Sequence, residues 1–169
     1  MAQLNQTLPT DDRPLNAHLV LVEPLIPGNA GSLARVCAGT HTCLHLVEPL
    51  GFTLDDRHLK RAGLDYWPNV MWQSHSNWAP LVESIPRDEL FLYTAKAEQT
   101  YTDVQYPSRP WLFFGSETKG LPDDLMQEYS DRCYRVPVTP HIRSLNLATV
   151  ATTVLYEVLR QHGYPDIDS

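Results

Sequence analysis

Three short stretches carry polar side chains where apolar runs give way to turns. They are "PLIPGNAGSLAR" with Asn29 and Arg35, "FFGSETKGLP" with Glu117, and "VPVTPHIRSLNLAT" with Thr139, His141, Arg143, Ser144 and Asn146. A guanidinium about one turn into a helix, as expected for Arg35, can fork onto a phosphate or hold a charged intermediate. A structural ion pair would use the same residue. Gly28 and Gly31 in the first stretch permit a tight turn or a close approach of backbone to a ligand. Glu117, flanked by Gly115 and Gly120, could accept backbone N–H bonds or meet a cation; a glycine-rich connection without a ligand reads the same way. In the third stretch Ser144 or Asn146 can cap the helix that follows. A polar group wedged between an apolar strand and an apolar helix also needs partners, which a ligand with amide, amine or ribose hydroxyl groups would supply. Neither G-x-G-x-x-G nor G-x-x-x-x-G-K-[ST] occurs, so the usual dinucleotide and P-loop turns are missing.

Two further clusters have the right residue types for chemistry. Cys37, His41, Cys43 and His45 fall within nine residues, which raises zinc. Structural zinc sites pair close ligands and join a separate second pair. The C-x5-C spacing, split between a helix end and the next strand, fits small core residues with exposed histidines better, and no metal is expected. Arg57, Lys60 and Arg61 in "DDRHLKRAGLDYW" stand at i, i+3, i+4 on one side of a helix. They make either a solvated face or a contact for a polyanion.

The elements that must position these residues alternate. Apolar strand-like runs recur in "HLVLVEP", "LHLVEP", "VMWQ", "LFLYTAK", "PWLFFG" and "CYRVPV". Between them lie helical patterns: "AGSLARVCAGTH", "LDDRHLKRAG", "SNWAPLVESI" with Ser76-Asn77 offering cap oxygens, and "PDDLMQEYS" with Pro122 near its first position. The last helix runs from about Asn146 to His162, with Val150, Val154, Leu155 and Val158 on one face, and stops at Gly163. Strands alternating with helices predict an α/β fold with a mostly parallel sheet covered on both faces. Ligands in such sheets bind beyond the carboxyl ends of the strands, where the three polar stretches fall.

At 169 residues, 43% hydrophobic and 20% charged, the chain fits one domain. It holds no apolar run near the ~18 residues of a membrane span. The start "MAQLNQTLPTDDRPLNA" lacks the basic and apolar regions of a signal peptide. Residues 1–17 are expected to form a flexible tail and 18–169 the domain. Three cysteines without an export signal suit a reducing cytoplasm. A net charge of -7 argues against a uniformly basic nucleic-acid binder and leaves room for local patches.

Taken in order, "IPGNAGSLAR", "FGSETKGLP" and "VPVTPHIRSLNLATVATTVLYE" resemble the three motifs of the SPOUT (alpha/beta-knot) RNA methyltransferases. With "LHLVEPLGFTLDDRHLKRAGLDYW" and "VLYEVLRQHGYP", the likeness runs from Leu19 to about Pro165. It is closest to the small stand-alone tRNA (cytidine/uridine-34-2'-O)-methyltransferases. The resemblance implies a C-terminal deep trefoil knot, against the usual rule that chains do not knot, and a homodimer in the cytoplasm. It implies S-adenosyl-L-methionine at Tyr93, Thr94, Gly115, Glu117, Val136, Ser144, Leu145 and Asn146. Arg35 would then align and stabilise the attacking ribose oxygen, with Asn29 holding Arg35 or the substrate. Arg57, Lys60, Arg61, Arg143 and Tyr156 would meet the tRNA, for which leucine isoacceptors are the expected substrates. Methylation at another tRNA or rRNA position, or RNA binding without catalysis, are the alternatives. One departure stands out: after "RSLN" the family often has a serine and an asparagine, where this chain has Ala148 and Thr149.

Overall fold

The computed structural model describes residues 12–54, 57, 61 and 67–167. Seven strands form one sheet: β1 (His18–Val22), β2 (Cys43–Val47), β3 (Trp72–His75), β4 (Leu90–Tyr93), β5 (Gln99–Thr100), β6 (Trp111–Phe114) and β7 (Cys133–Arg135). Their order is β3-β2-β1-β6-β4-β7-β5, and every pairing is parallel. The described helices are α1 (Pro27–Thr40), α2 (Trp78–Glu83), α3 (Asp123–Glu128) and α4 (Leu147–Gln161). All the expected strand runs are present. The edge strand β5 was not foreseen, because two residues carry no readable period.

Both faces of the sheet are covered, as its apolar runs require. Leu19, Leu21, Leu44, Leu46, Leu112 and Phe114 pack with Leu33 of α1 and Val154, Leu155 and Val158 of α4. On the opposite face Val20, Val22, Val47, Leu92 and Phe113 meet Leu81 and Val82 of α2 and Leu125 of α3. The alternation along each strand is the side-chain period of two. Leu15, Asn16 and Ala17, assigned to the tail by sequence, are buried, and the Asn16 and His18 N–H groups donate to the carbonyls of Ser108 and Pro110.

Helix ends follow local chemistry. Asn77 caps α2 by accepting from the Ala79 N–H, and Asn146 caps α4 through the N–H groups of Ala148 and Thr149. The Ala148-Thr149 departure therefore leaves this cap intact, since it uses backbone donors. Pro122 is the N-cap of α3, one place before the expected first position. α1 begins at Pro27 and so absorbs Gly28 and Gly31, which sit in helix and not in a turn. Gly163, just past α4, has φ +73, the left-handed conformation that glycine adopts freely.

Three histidines cross the sheet diagonally. His18 Nδ1 lies 2.9 Å from His45 Nε2, and His45 Nδ1 lies 2.9 Å from His75 Nε2. His18 also stacks on Trp111 at 3.8 Å. His45 is thus a buried link and not exposed as expected, whereas His41, its neighbour in that cluster, is exposed. Each neutral imidazole supplies one donor and one acceptor, which a hydrogen-bonded chain needs. Burial pushes His18 down to about 3 and holds His45 and His75 below the ordinary value. Between pH 3 and 6.5 the unfolded chain therefore binds more protons than the native one. The stabilisation is full above pH 6.5 and is lost progressively as pH falls, by up to about 1.4 kcal/mol per pH unit for each fully buried ring. The melting temperature is expected to drop continuously from pH 7 to pH 4. A flat profile would mean that the rings protonate in place at no cost.

Candidate active site

Side chains from three distant loops meet beside the start of α1. Glu117 accepts from the backbone N–H groups of Leu25 (2.7 Å) and Ile26 (3.0 Å) and from Asn29 Nδ2 (3.1 Å). Asn29 Oδ1 in turn accepts from Asn146 Nδ2 at 3.1 Å. Asn146 uses its own oxygen to cap α4. One chain of hydrogen bonds thus ties together all three polar stretches singled out in the sequence.

The local reasons are separable. α1 has Ile26 as N-cap, without a side-chain bond, and no acid in its first turn. Its N-terminal end needs acceptors, and the Glu117 carboxylate takes the N–H of the N-cap Ile26 and that of Leu25 before it, where the helix dipole favours negative charge. Glu117 reaches across from a tight turn. Ser116 and Gly120 exchange backbone bonds of 3.2 and 3.0 Å, and Ser116 Oγ accepts from the Lys119 N–H. The sequence offered Glu117 either as an acceptor of backbone bonds or as a contact for a cation; the structure shows the former, and its partners were hidden because Leu25 and Ile26 contribute only main-chain atoms.

Gly115 makes that turn possible. A Cβ there would lie 1.9 Å from the Gly120 carbonyl carbon and 2.1 Å from the Leu121 nitrogen. The crowding comes from the chain's own loop. Gly115→Ala is expected to force the Glu117 turn away from α1 and lower the melting temperature by several degrees, with S-adenosylmethionine affinity falling as a result. A variant as stable as the parent would show that the loop can yield.

The carboxyl ends of the adjacent strands β6, β4 and β7 lie level. Tyr93 pairs with Phe114 and with Tyr134, so Thr94 and Gly115, just past their strands, lie level with Arg135, the last residue of β7, and Val136 comes next. The Thr94 N–H donates to the Tyr134 carbonyl. Tyr93 turns its side chain inward, where its hydroxyl meets that of Tyr106 at 2.8 Å. Burial raises the Tyr93 phenol well above its ordinary range, so it stays neutral and offers backbone, not an acid–base group, to the edge. Ser144 is exposed and Leu145 half-buried, immediately before Asn146.

Thr139, His141, Arg143, Ser144 and Asn146 are exposed and not wedged between apolar layers; of these, Asn146 is the one that joins the other loops. Arg35 is the ninth residue of α1, two turns in, and is exposed, whereas Asn29 is buried. Six residues put their side chains about 240° apart on the helix, and Asn29 holds Glu117 and Asn146. Arg57 and Arg61 are helical and exposed; Lys60 lies outside the described residues. Arg143 and Tyr156 are also exposed, Tyr156 at 47%. Among the described residues no group of histidine, cysteine and acidic side chains is arranged to hold a metal ion, and no helix is long and apolar enough to cross a membrane.

Comparison with known proteins gives the geometry a family. Residues 16–156 match the SpoU rRNA Methylase family. A Bacillus subtilis relative is 46% identical over 153 residues, which is 89% of this chain and 96% of its own. A Methylovorus glucosotrophus relative, by name a tRNA (cytidine(34)-2'-O)-methyltransferase, is 40% identical over 86% of this chain and 96% of its own. A structure solved in work on the 2-OH methylation of C/U34 on tRNA superposes with a TM-score of 0.82 at 40% identity, covering 88% of this chain and 97% of the other.

Proposed function

Because this chain belongs to the SpoU rRNA methylase family, we propose that it transfers a methyl group from S-adenosyl-L-methionine to the ribose 2'-oxygen of nucleotide 34, a cytidine or modified uridine, in tRNA. The observation that carries this reading is the Glu117–Asn29–Asn146 chain, which gathers the three loops at the carboxyl end of the sheet. When bound, the cofactor supplies an electrophilic methyl on a sulfonium. Thr94, Gly115, Val136 and the residues from Ser144 to Asn146 would hold it with backbone and short polar groups, and the level strand ends fit that use. A ribose hydroxyl is a weak nucleophile, so it must lose its proton and sit in line behind the methyl carbon, opposite sulfur. Arg35 stabilises the developing negative charge on the oxygen. An arginine remains protonated in proteins, so its part is alignment and charge, with the proton passing to a phosphate of the RNA or to water.

The segment after β7 forms the trefoil knot, two copies pair, and the enzyme works in the cytoplasm. The exposed apolar side chains of Leu25, Ile26 and Ile142 suit contact with a second copy, and Tyr156 stays free to meet the RNA. Pairing also answers the acidic net charge, because Arg35, Arg57, Lys60, Arg61 and Arg143 from two copies would build a basic surface. Nucleoside mapping of tRNA and rRNA from a deletion strain, with and without the restored gene, tests the function. The 2'-O-methyl group is expected to vanish at nucleotide 34 of a few tRNAs, leucine tRNAs among them, and to return on complementation. Loss at an rRNA position instead would reassign the substrate, and no loss anywhere would leave a binding protein.

A further inference from the structure

Beyond the three loops, a cavity of about 770 Å³ opens at the carboxyl ends of β2 and β3. Its lining includes Glu48, Pro49, Phe52, Leu54 and Ser76. One wall is fixed to the start of α1. The Gly51 N–H donates to the Pro24 carbonyl at 2.9 Å, and a Cβ on Gly51 would stand 2.5 Å from the Leu25 carbonyl oxygen. The cavity therefore keeps a set position relative to the helix that carries Arg35.

Its chemistry selects among ligands. Phe52 is half-buried and packs against the main core, so its ring is held in place. Among the described residues the exposed Glu48 carboxylate makes no hydrogen bond or ion pair, and Ser76 beside it is exposed. A carboxylate repels phosphate but accepts from the exocyclic amine of cytosine and similar bases. Arg57, three residues beyond Leu54 along the chain, is helical and exposed. An aromatic wall, an acceptor and a cation close in sequence together match one nucleotide of a single strand.

We propose that this cavity takes an unpaired base of the substrate RNA, stacked against Phe52 with its exocyclic amine on Glu48, while Arg57 faces the adjoining phosphate. The proposal rests on the methyltransferase reading above and adds a place where the RNA is read.

The test uses the full chain and anticodon stem-loop RNAs carrying one abasic nucleotide at each loop position in turn. Phe52→Ala is expected to weaken binding of the intact RNA about tenfold, the scale of one base stack, with S-adenosylmethionine affinity unchanged. At one loop position the abasic RNA should cost the parent protein the same factor and cost Phe52→Ala nothing more. Phe52→Leu, which keeps the core packing, should behave like Phe52→Ala and guards against misfolding. Glu48→Gln should reduce the preference for amine-bearing bases at that one position. The proposal is overturned if the Phe52 variants bind RNA as the parent does, or if they lose the same factor at every abasic position. It is equally overturned if they lose cofactor affinity alone, which would give the cavity to the adenine of the cofactor. A parent protein that binds RNA but methylates none defeats the enzymatic reading instead, and the abasic scan still decides the cavity.

Discussion

Glu117→Ala is expected to reduce methyl transfer at least about a hundredfold and to weaken S-adenosylmethionine binding about tenfold. The carboxylate satisfies two backbone N–H groups at the start of α1 and the side chain of Asn29. Hydrogen bonds to a charged acceptor contribute about 1.5–3 kcal/mol each, and the loss of two already exceeds the roughly 2.8 kcal/mol of a hundredfold effect. With that anchor gone, the start of α1, the turn that carries Glu117 and the α4 cap are free to part. Glu117→Gln keeps one acceptor oxygen and should fall between the two. Calorimetry for the cofactor and single-turnover methylation of tRNA read the two effects separately. Parent-like values for both in Glu117→Ala would show that the three loops hold their places without it.

For Arg35→Ala the expected pattern is different: a fall in methyl transfer of about a thousandfold, with cofactor affinity within a few fold. Arg35 is exposed two turns into α1, whereas the cofactor would be held by residues that follow β4, β6 and β7. Removing one preorganised donor to a developing oxyanion costs about 2.7–4 kcal/mol in comparable sites. Arg35→Lys should recover only part of the rate, since an ammonium lacks the planar fork. Cofactor binding lost in step with activity would move Arg35 from the reaction to the binding pocket.

Much of this was readable in the residues. The apolar runs of β1, β2, β4 and β6 and the spaced valines of α4 fixed a parallel sheet with covered faces, because burial on both sides leaves few polar positions. Glu117 and Asn146 could be singled out as polar residues in turns. What stayed hidden were partnerships between distant segments. Nothing local in "GSETKG" says that its acid will cap a helix some ninety residues earlier, and nothing in "NAGSLAR" says that Asn29 turns inward while Arg35 turns out. The diagonal of His18, His45 and His75 was equally invisible, because it depends on the strand register. Main-chain donors such as those of Leu25 and Ile26 carry no mark in a sequence at all.

The spans of these hydrogen bonds bear on how the protein reaches its working form. Asn29 to Glu117 closes a separation of 88 residues, and Asn29 to Asn146 one of 117. Contacts so distant along the chain are slow to form, because the loop entropy is lost before the contact repays it. The sheet can nucleate through neighbours such as β1 and β2 while the start of α1 still lacks its remote acceptor. During refolding from denaturant, the far-ultraviolet signal should therefore recover before cofactor binding does. The interval between the two would be the lifetime of a species that has its architecture and not yet its site.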